Sequence, residues 1–202
     1  SLPNKIGWRL RVISNKFPAL KIEGQLSREP AGIYDRMNGI GAHEVIIECP
    51  DHGRDLTEMS VSEIRDILRA YRDRMVDLER DQRFKYILIF KNHGEAAGAS
   101  LEHAHSQLIA MPIVPKQVSE ELAGAKTYYD FKERCIFCDI IRQELVDTER
   151  LVSDFDSFIS FMPFAPRFPF ETHVIPKAHQ SSFLEMSESD YLKLAACLRD
   201  TL

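Results

Sequence analysis

The chain has 202 residues, 44% of them hydrophobic and 28% charged, and a net charge of −5. That length suits one or two domains with a core of useful size, and the acidic balance excludes a protein that attracts nucleic acid through its overall field, so any phosphate site must be built locally. No apolar run approaches the ~18 residues of a membrane-spanning helix, and the first eight residues, Ser-Leu-Pro-Asn-Lys-Ile-Gly-Trp, hold no apolar export core.

Residues 8–14 alternate and predict a strand that ends in the turn Asn15-Lys16-Phe17-Pro18. Gly32, Gly39 and Gly41 mark a loop, and Val45–Cys49 predicts a second strand, stopped by Pro50. A helix is expected over 60–81. Ser60 and Glu63 form an S-x-x-E capping box, and Val61, Ile64, Leu68, Tyr71, Met75 and Leu78 recur at steps of three and four. Lys85–Lys91 predicts a buried strand. A small-residue loop, Asn92 to Ser100, leads into a further strand over 103–110. Residues 116–134 are polar and are expected as a linker, in part helical, which divides the chain into a first half (1–115) and a second half (135–202).

The halves echo one another. From His52 the chain reads H-G-R-D-L-T-E-M-S-V-S-E, and from His179 it reads H-Q-S-S-F-L-E-M-S-E-S-D. Both stretches follow an apolar strand and a proline, and both open a capped helix. That shared context points to duplication of a strand–His–helix unit.

The strongest chemical signal is His103-x-His105-x-Gln107. On a strand these three side chains share one face, and two imidazoles and an amide are costly to bury without partners. The preceding loop offers Gly98 for close backbone approach, Ser100 as a hydroxyl donor and Asn92 at the end of the previous strand, as a phosphate cradle needs. A neutral histidine can attack phosphorus if its other ring nitrogen holds a proton against a fixed acceptor. Gln107 can donate to a phosphoryl oxygen but cannot supply a proton. The pattern therefore suits exchange between phosphates, whose leaving groups need no general acid, better than hydrolysis of esters with poor leaving groups.

The second signal is Cys135-x-x-Cys138, the one close pair among four cysteines, which is no disulfide framework. Two thiolates at this spacing fill two corners of a tetrahedral zinc. His179 is the best further ligand and His173 the second choice. His52 and His103 offer half of another zinc site. Cys49 and Cys197 read as buried core residues, and His43 and His93 as structural or surface residues.

Taken together, the stretches Asn15–Leu20, Pro50-Asp51-His52, Asn92–Gln107, Cys135–Cys138, Phe168–Glu171 and Pro176–His179 resemble the galactose-1-phosphate uridylyltransferase branch of the histidine-triad superfamily. The resemblance implies an α+β fold of two duplicated histidine-triad-like half-domains, each an antiparallel sheet flanked by helices, the second incomplete at its C-terminus. It implies that His105 carries a nucleotidyl group, that Gln107 steadies it, that Asn92, Gly98 and Ser100 hold phosphates, and that Asn15 lies near the nucleoside. It further implies zinc at His52 and His103, whose two family cysteines would precede this chain, and zinc at Cys135, Cys138 and His179. The implied activity exchanges a nucleoside monophosphate between a nucleotide sugar and a sugar-1-phosphate, in a cytoplasmic homodimer with no nucleic-acid or membrane partner. One residue departs from the uridylyltransferase pattern: Ala104 stands where those enzymes usually carry proline. This departure resembles a plant-type ADP-sugar phosphorylase, so phosphorolysis of an ADP-sugar or dinucleoside polyphosphate is the alternative. A zinc-stabilised nucleotide-binding module without turnover is the alternative of another class.

Overall fold

A computed structural model describes residues 7–99 and 101–202. The chain divides into two compact units, one holding the described residues up to Asp55 together with Ala70–Pro115, the other Leu56–Arg69 together with Lys116–Leu202. Strands β1 (Arg11–Ser14), β2 (Glu29–Ala31), β3 (Tyr34–Arg36) and β4 (Ala42–Ile47) are followed by helix α1 (Val61–Leu78), β5 (Tyr86–Phe90) and β6 (His105–Met111). Then come α2 (Lys116–Lys132), α3 (Ile136–Asp147), β7 (Leu151–Asp154), β8 (Phe158–Phe161), β9 (His173–Pro176) and α4 (Glu188–Thr201).

In the first unit, four strands form an antiparallel sheet in the order β1-β4-β6-β5, and β2 and β3 make a separate hairpin. The sheet core gathers Ile40, Ala42, Ile46, Leu108 and Ala110, and Tyr71, Met75 and Leu78 of α1 pack against it. β6 is two-sided. Ser106, Leu108 and Ala110 are fully buried, while His105 and Gln107 share the opposite face with their cross-strand partners Ile47 and Val45. At the entry to β4 the backbones come close: a Cβ on Gly41 would stand 2.3 Å from the Ala110 carbonyl oxygen and 2.5 Å from a methyl of Leu20. Glycine is required there for space.

The helix expected over 60–81 runs from Val61 to Leu78, with its cap as read. Ser60 N–H donates to Glu63 Oε2 at 2.8 Å, and Glu63 N–H donates to Ser60 Oγ at 3.3 Å.

In the second unit, β7-β8-β9 form an antiparallel sheet. Ile141 of α3 packs with Ile159 and Phe161 of β8, and α4 buries Tyr191, Leu194, Ala195 and Cys197. Residues 116–132, expected within a polar linker, form α2, a helix with no buried residue. Exposed pairs at i,i+4 line it, Lys116–Glu120 and Lys126–Asp130. A helix of that kind leaves no apolar stripe to read. The repeated segments fold alike. Each repeat has a strand ending near a proline, a histidine, a short 3₁₀ turn (Leu56–Glu58 or Phe183–Glu185) and a capped helix. In the second copy Ser187 and Asp190 make the capping box. Among the described residues, no helix is long and apolar enough to cross a membrane.

Candidate functional site

His105 opens β6 and is 7% exposed. Its Nδ1 lies 2.8 Å from the carbonyl oxygen of His103. A carbonyl only accepts, so Nδ1 carries the proton and Nε2 holds the free lone pair of a neutral ring. The tautomer a nucleophilic histidine needs is thus set by the backbone two residues upstream. His105 lines a cavity of about 510 Å³ together with Lys91, Asn92, Gly94, Leu101 and Ala104.

Asn92 lines this cavity, and Gly98 follows in the same loop. Gly98, however, needs to be glycine for conformation and not for close approach. Its φ is +78°, and among the described residues an added Cβ would meet only the Asn92 amide nitrogen, at 3.9 Å. It closes a tight turn by donating its N–H to the Glu95 carbonyl at 2.9 Å. Ser100 lies outside the described residues.

Behind His105 sits a buried polar cluster that sequence reasoning missed. The Glu48 side chain is fully buried and pairs with Lys91 Nζ at 2.6 Å. Ser106 Oγ donates to Glu48, and Tyr71 Oη meets Ser106 Oγ. Burial, and then the Glu48 charge, push the Tyr71 hydroxyl well above its usual range. Lys91 Nζ also reaches the His105 carbonyl at 3.4 Å.

Gln107 is held from the other end of the sheet. Its Oε1 lies 2.8 Å from His43 Nε2 and 3.4 Å from Asn15 Nδ2. His43, expected from the sequence as a structural or surface residue, stands beside Gln107, a place that no sequence signal marks.

Cys135 caps the N-terminus of α3 and Cys138 lies in its first turn. With His179 they bring three donor atoms within 4.8 Å of one another, Cys138 Sγ and His179 Nδ1 being 3.3 Å apart. A tetrahedral zinc at ordinary bond lengths needs donor separations of about 3.5–3.8 Å, so soft thiolates and an imidazole at this spacing fit the ion. Desolvation and the neighbouring Cys135 raise the Cys138 pKa. His173, the second-choice ligand, instead sits 3.2 Å from Glu171 and edge-on to Phe161.

His52 and His103 are together, their ring centroids 4.6 Å apart. His103 Nε2 lies 2.7 Å from the Cys49 carbonyl oxygen, so that nitrogen carries the proton and Nδ1 is left as a donor atom. A metal-bound histidine is oriented in this way. Among the described residues no third donor groups with this pair. Cys49 and Cys197 are buried, as expected. His93 lies near Asp55, exposed at the cavity rim.

A family model described as galactose-1-phosphate uridyl transferase, N-terminal domain, matches residues 9–115. An ADP-glucose phosphorylase of Arabidopsis thaliana is 37% identical over 194 residues, covering 95% of this chain and 54% of that protein. A galactose-1-phosphate uridylyltransferase of Thermotoga maritima is 32% identical over 191 residues, covering 94% of this chain and 59% of that protein. The crystal structure of an Arabidopsis thaliana ADP-glucose phosphorylase with bound ADP-glucose superposes with a TM-score of 0.85 at 35% identity, over 96% of this chain and 59% of that one. The chain spans between half and two thirds of the length of these relatives.

Proposed function

The chain belongs to the galactose-1-phosphate uridylyltransferase family, and from that premise we propose that it passes a nucleoside monophosphate from a nucleotide sugar to a sugar-1-phosphate, or to phosphate, through a covalent intermediate on His105. The 2.8 Å contact between His105 Nδ1 and the His103 carbonyl carries this reading. The Nε2 lone pair attacks the α-phosphorus, and the bond from that phosphorus to the bridging oxygen breaks. The sugar-1-phosphate leaves with the electron pair and needs no proton. The Nδ1 proton stays in place, so the nucleotidyl-imidazole is cationic, and the His103 carbonyl stabilises it. An acceptor phosphate oxygen then attacks the same phosphorus, and the N–P electron pair returns to Nε2.

In this reading Gln107 donates to the transferred phosphate, and Asn92, Gly98 and Ser100 hold the neighbouring phosphates. Asn15 sits toward the nucleoside. The fit of Cys135, Cys138 and His179 supports zinc in the second unit, where the ion would cross-link α3 to the segment after β9. His52 and His103 would contribute two ligands to a first zinc. We extend the reading to a cytoplasmic homodimer with no nucleic-acid or membrane partner. Four free thiols suit a reducing compartment, and sedimentation at working concentration tests the dimer.

Ala104 between the histidines and the 37% identity to an ADP-glucose phosphorylase support an ADP-sugar donor as the alternative, beside the 32% identity to a galactose-1-phosphate uridylyltransferase that supports a UDP-sugar. Intact-mass measurement of the natural full-length protein after brief incubation with UDP-glucose and, separately, with ADP-glucose decides between them. A UMP-sized, acid-labile adduct on His105 supports the uridylyltransferase, and an AMP-sized adduct alone supports the phosphorylase. Nucleotide bound with no adduct from either donor sinks the transfer reading and leaves a binding module.

A further inference from the structure

The hydrogen bonds around Gln107 decide which way its amide faces. His43 Nδ1 lies 3.0 Å from the backbone N–H of Ala19. That group can only donate, so Nδ1 accepts, and the neutral ring must carry its proton on Nε2. The Nε2–H then donates to Gln107 Oε1 at 2.8 Å. Asn15 is fixed by the same logic. Its Oδ1 accepts the backbone N–H of Phe17 at 2.9 Å, which turns Nδ2 toward Gln107 Oε1 at 3.4 Å. The 3.1 Å approach of Asn15 Nδ2 to His43 Nε2 therefore sets two donors side by side at one acceptor. The Gln107 carbonyl is occupied, and among the described residues its NH₂ group has no partner.

We propose that His43 is a positioning residue that locks the side-chain amide of Gln107 so that its N–H donors, and not its carbonyl, face the phosphate on His105. This rests on the nucleotidyl-transfer reading. An unheld glutamine could turn over about χ3 at little cost, because the two amide ends have nearly the same shape. It would then present an oxygen lone pair to an anionic phosphoryl group, and repulsion would replace a charge-assisted hydrogen bond. The turn 15–19 thereby reaches the reacting centre through two backbone N–H groups, one imidazole and one amide. No titration is involved, so the role concerns orientation alone.

A double-mutant cycle on the natural full-length protein tests this, with single-turnover formation of the His105 adduct from the active nucleotide sugar at saturating concentration as the readout. Losing one preorganised donor to a developing charge costs on the order of 10²-fold, and Gln107→Ala should slow adduct formation on that scale. His43→Phe, which keeps a ring but loses the donor, should slow it about tenfold at saturation, with the apparent Kd little changed. In the Gln107→Ala background, His43→Phe should slow it no further. His43→Gln, whose amide nitrogen reaches the place of Nε2, should restore most of the rate. Long-range ¹H–¹⁵N spectra of the wild-type imidazoles should show His43 protonated on Nε2 and unprotonated on Nδ1.

Equal losses from His43→Phe in both backgrounds would mean that His43 serves only the fold, and would overturn the positioning role. So would an Nδ1–H tautomer. A wild-type protein that forms no adduct on His105 at all would instead sink the transfer reading itself.

Discussion

The ammonium group of Lys91 lies 2.6 Å from the carboxylate of Glu48, whose side chain is fully buried, while Lys91 keeps 21% of its side chain exposed at the cavity that His105 lines. One end of this ion pair is in the core and the other is at the site. The carboxylate also accepts from Ser106, the residue after His105. The pair therefore ties the backbone of β6 to α1 through Tyr71 and to β5 through Lys91.

Removing one partner should cost more than the pair contributes, because an uncompensated charge remains in the core. Lys91→Met is expected to destabilise the protein by about 3–5 kcal/mol, read as a drop in the denaturant midpoint. The double change Lys91→Met with Glu48→Gln should recover part of that loss. A double variant no more stable than the single one would show that the buried charge is not the source of the cost.

His105→Asn places an amide nitrogen near the position of Nδ1, where it can still donate to the His103 carbonyl, but it has no nucleophilic nitrogen. It should fold with an unchanged melting temperature and form no acid-labile nucleotide adduct. Nucleotide transfer that persists in this variant, with an adduct mapped to another residue, would move the nucleophile elsewhere.

Cys138→Ser removes one of three clustered donors. Metal measured by plasma emission on the purified protein should fall by about one zinc per chain, since a structural site rarely survives the loss of a thiolate. The melting temperature should fall with it, and a chelator should lower the wild-type melting temperature while leaving the variant unmoved. Equal metal content in the two proteins would rule out this cluster as a ligand set.

Glu171 accepts the backbone N–H of Arg167 at 2.6 Å, lies 3.2 Å from His173 Nε2 and pairs with the Arg167 guanidinium. The backbone contact is the largest cause of a carboxyl pKa lowered from 4.5 to about 2. A folded pKa below the unfolded one means stability that is fully present above pH 4.5 and lost as pH falls toward about 2. Glu171→Gln should be less stable than wild type at neutral pH, and the difference should shrink between pH 4.5 and 2. Midpoints that differ by the same amount across that range would show that the carboxylate contributes nothing through its charge.

What was legible in the sequence was local or periodic. The cap of α1 involves residues three apart, the face shared by His105 and Gln107 follows from strand alternation, and the Cys135–Cys138 spacing is a motif in itself. The rest depended on register. His43 and Gln107 are 64 positions apart, and Glu48 and Ser106 are 58 apart. Neither pairing could be drawn before β4 was aligned on β6. The tautomer of His105 depends on how the chain bends at 103–105, which side-chain identity does not encode. Helix α2 was legible only as a linker in part helical, for the opposite reason, since a helix that buries nothing carries no period to detect.

The two-sidedness of β6 makes it a reading frame in protein form. Ser106, Leu108 and Ala110 build the interior, and His105 and Gln107 face the other way, toward the chemistry proposed for them, by parity alone. Loss or gain of a single residue within 105–111 would exchange the two sets, turning a reactive imidazole into the core and a hydroxyl toward substrate. Insertions or deletions placed in β6 should therefore destroy fold and transfer together.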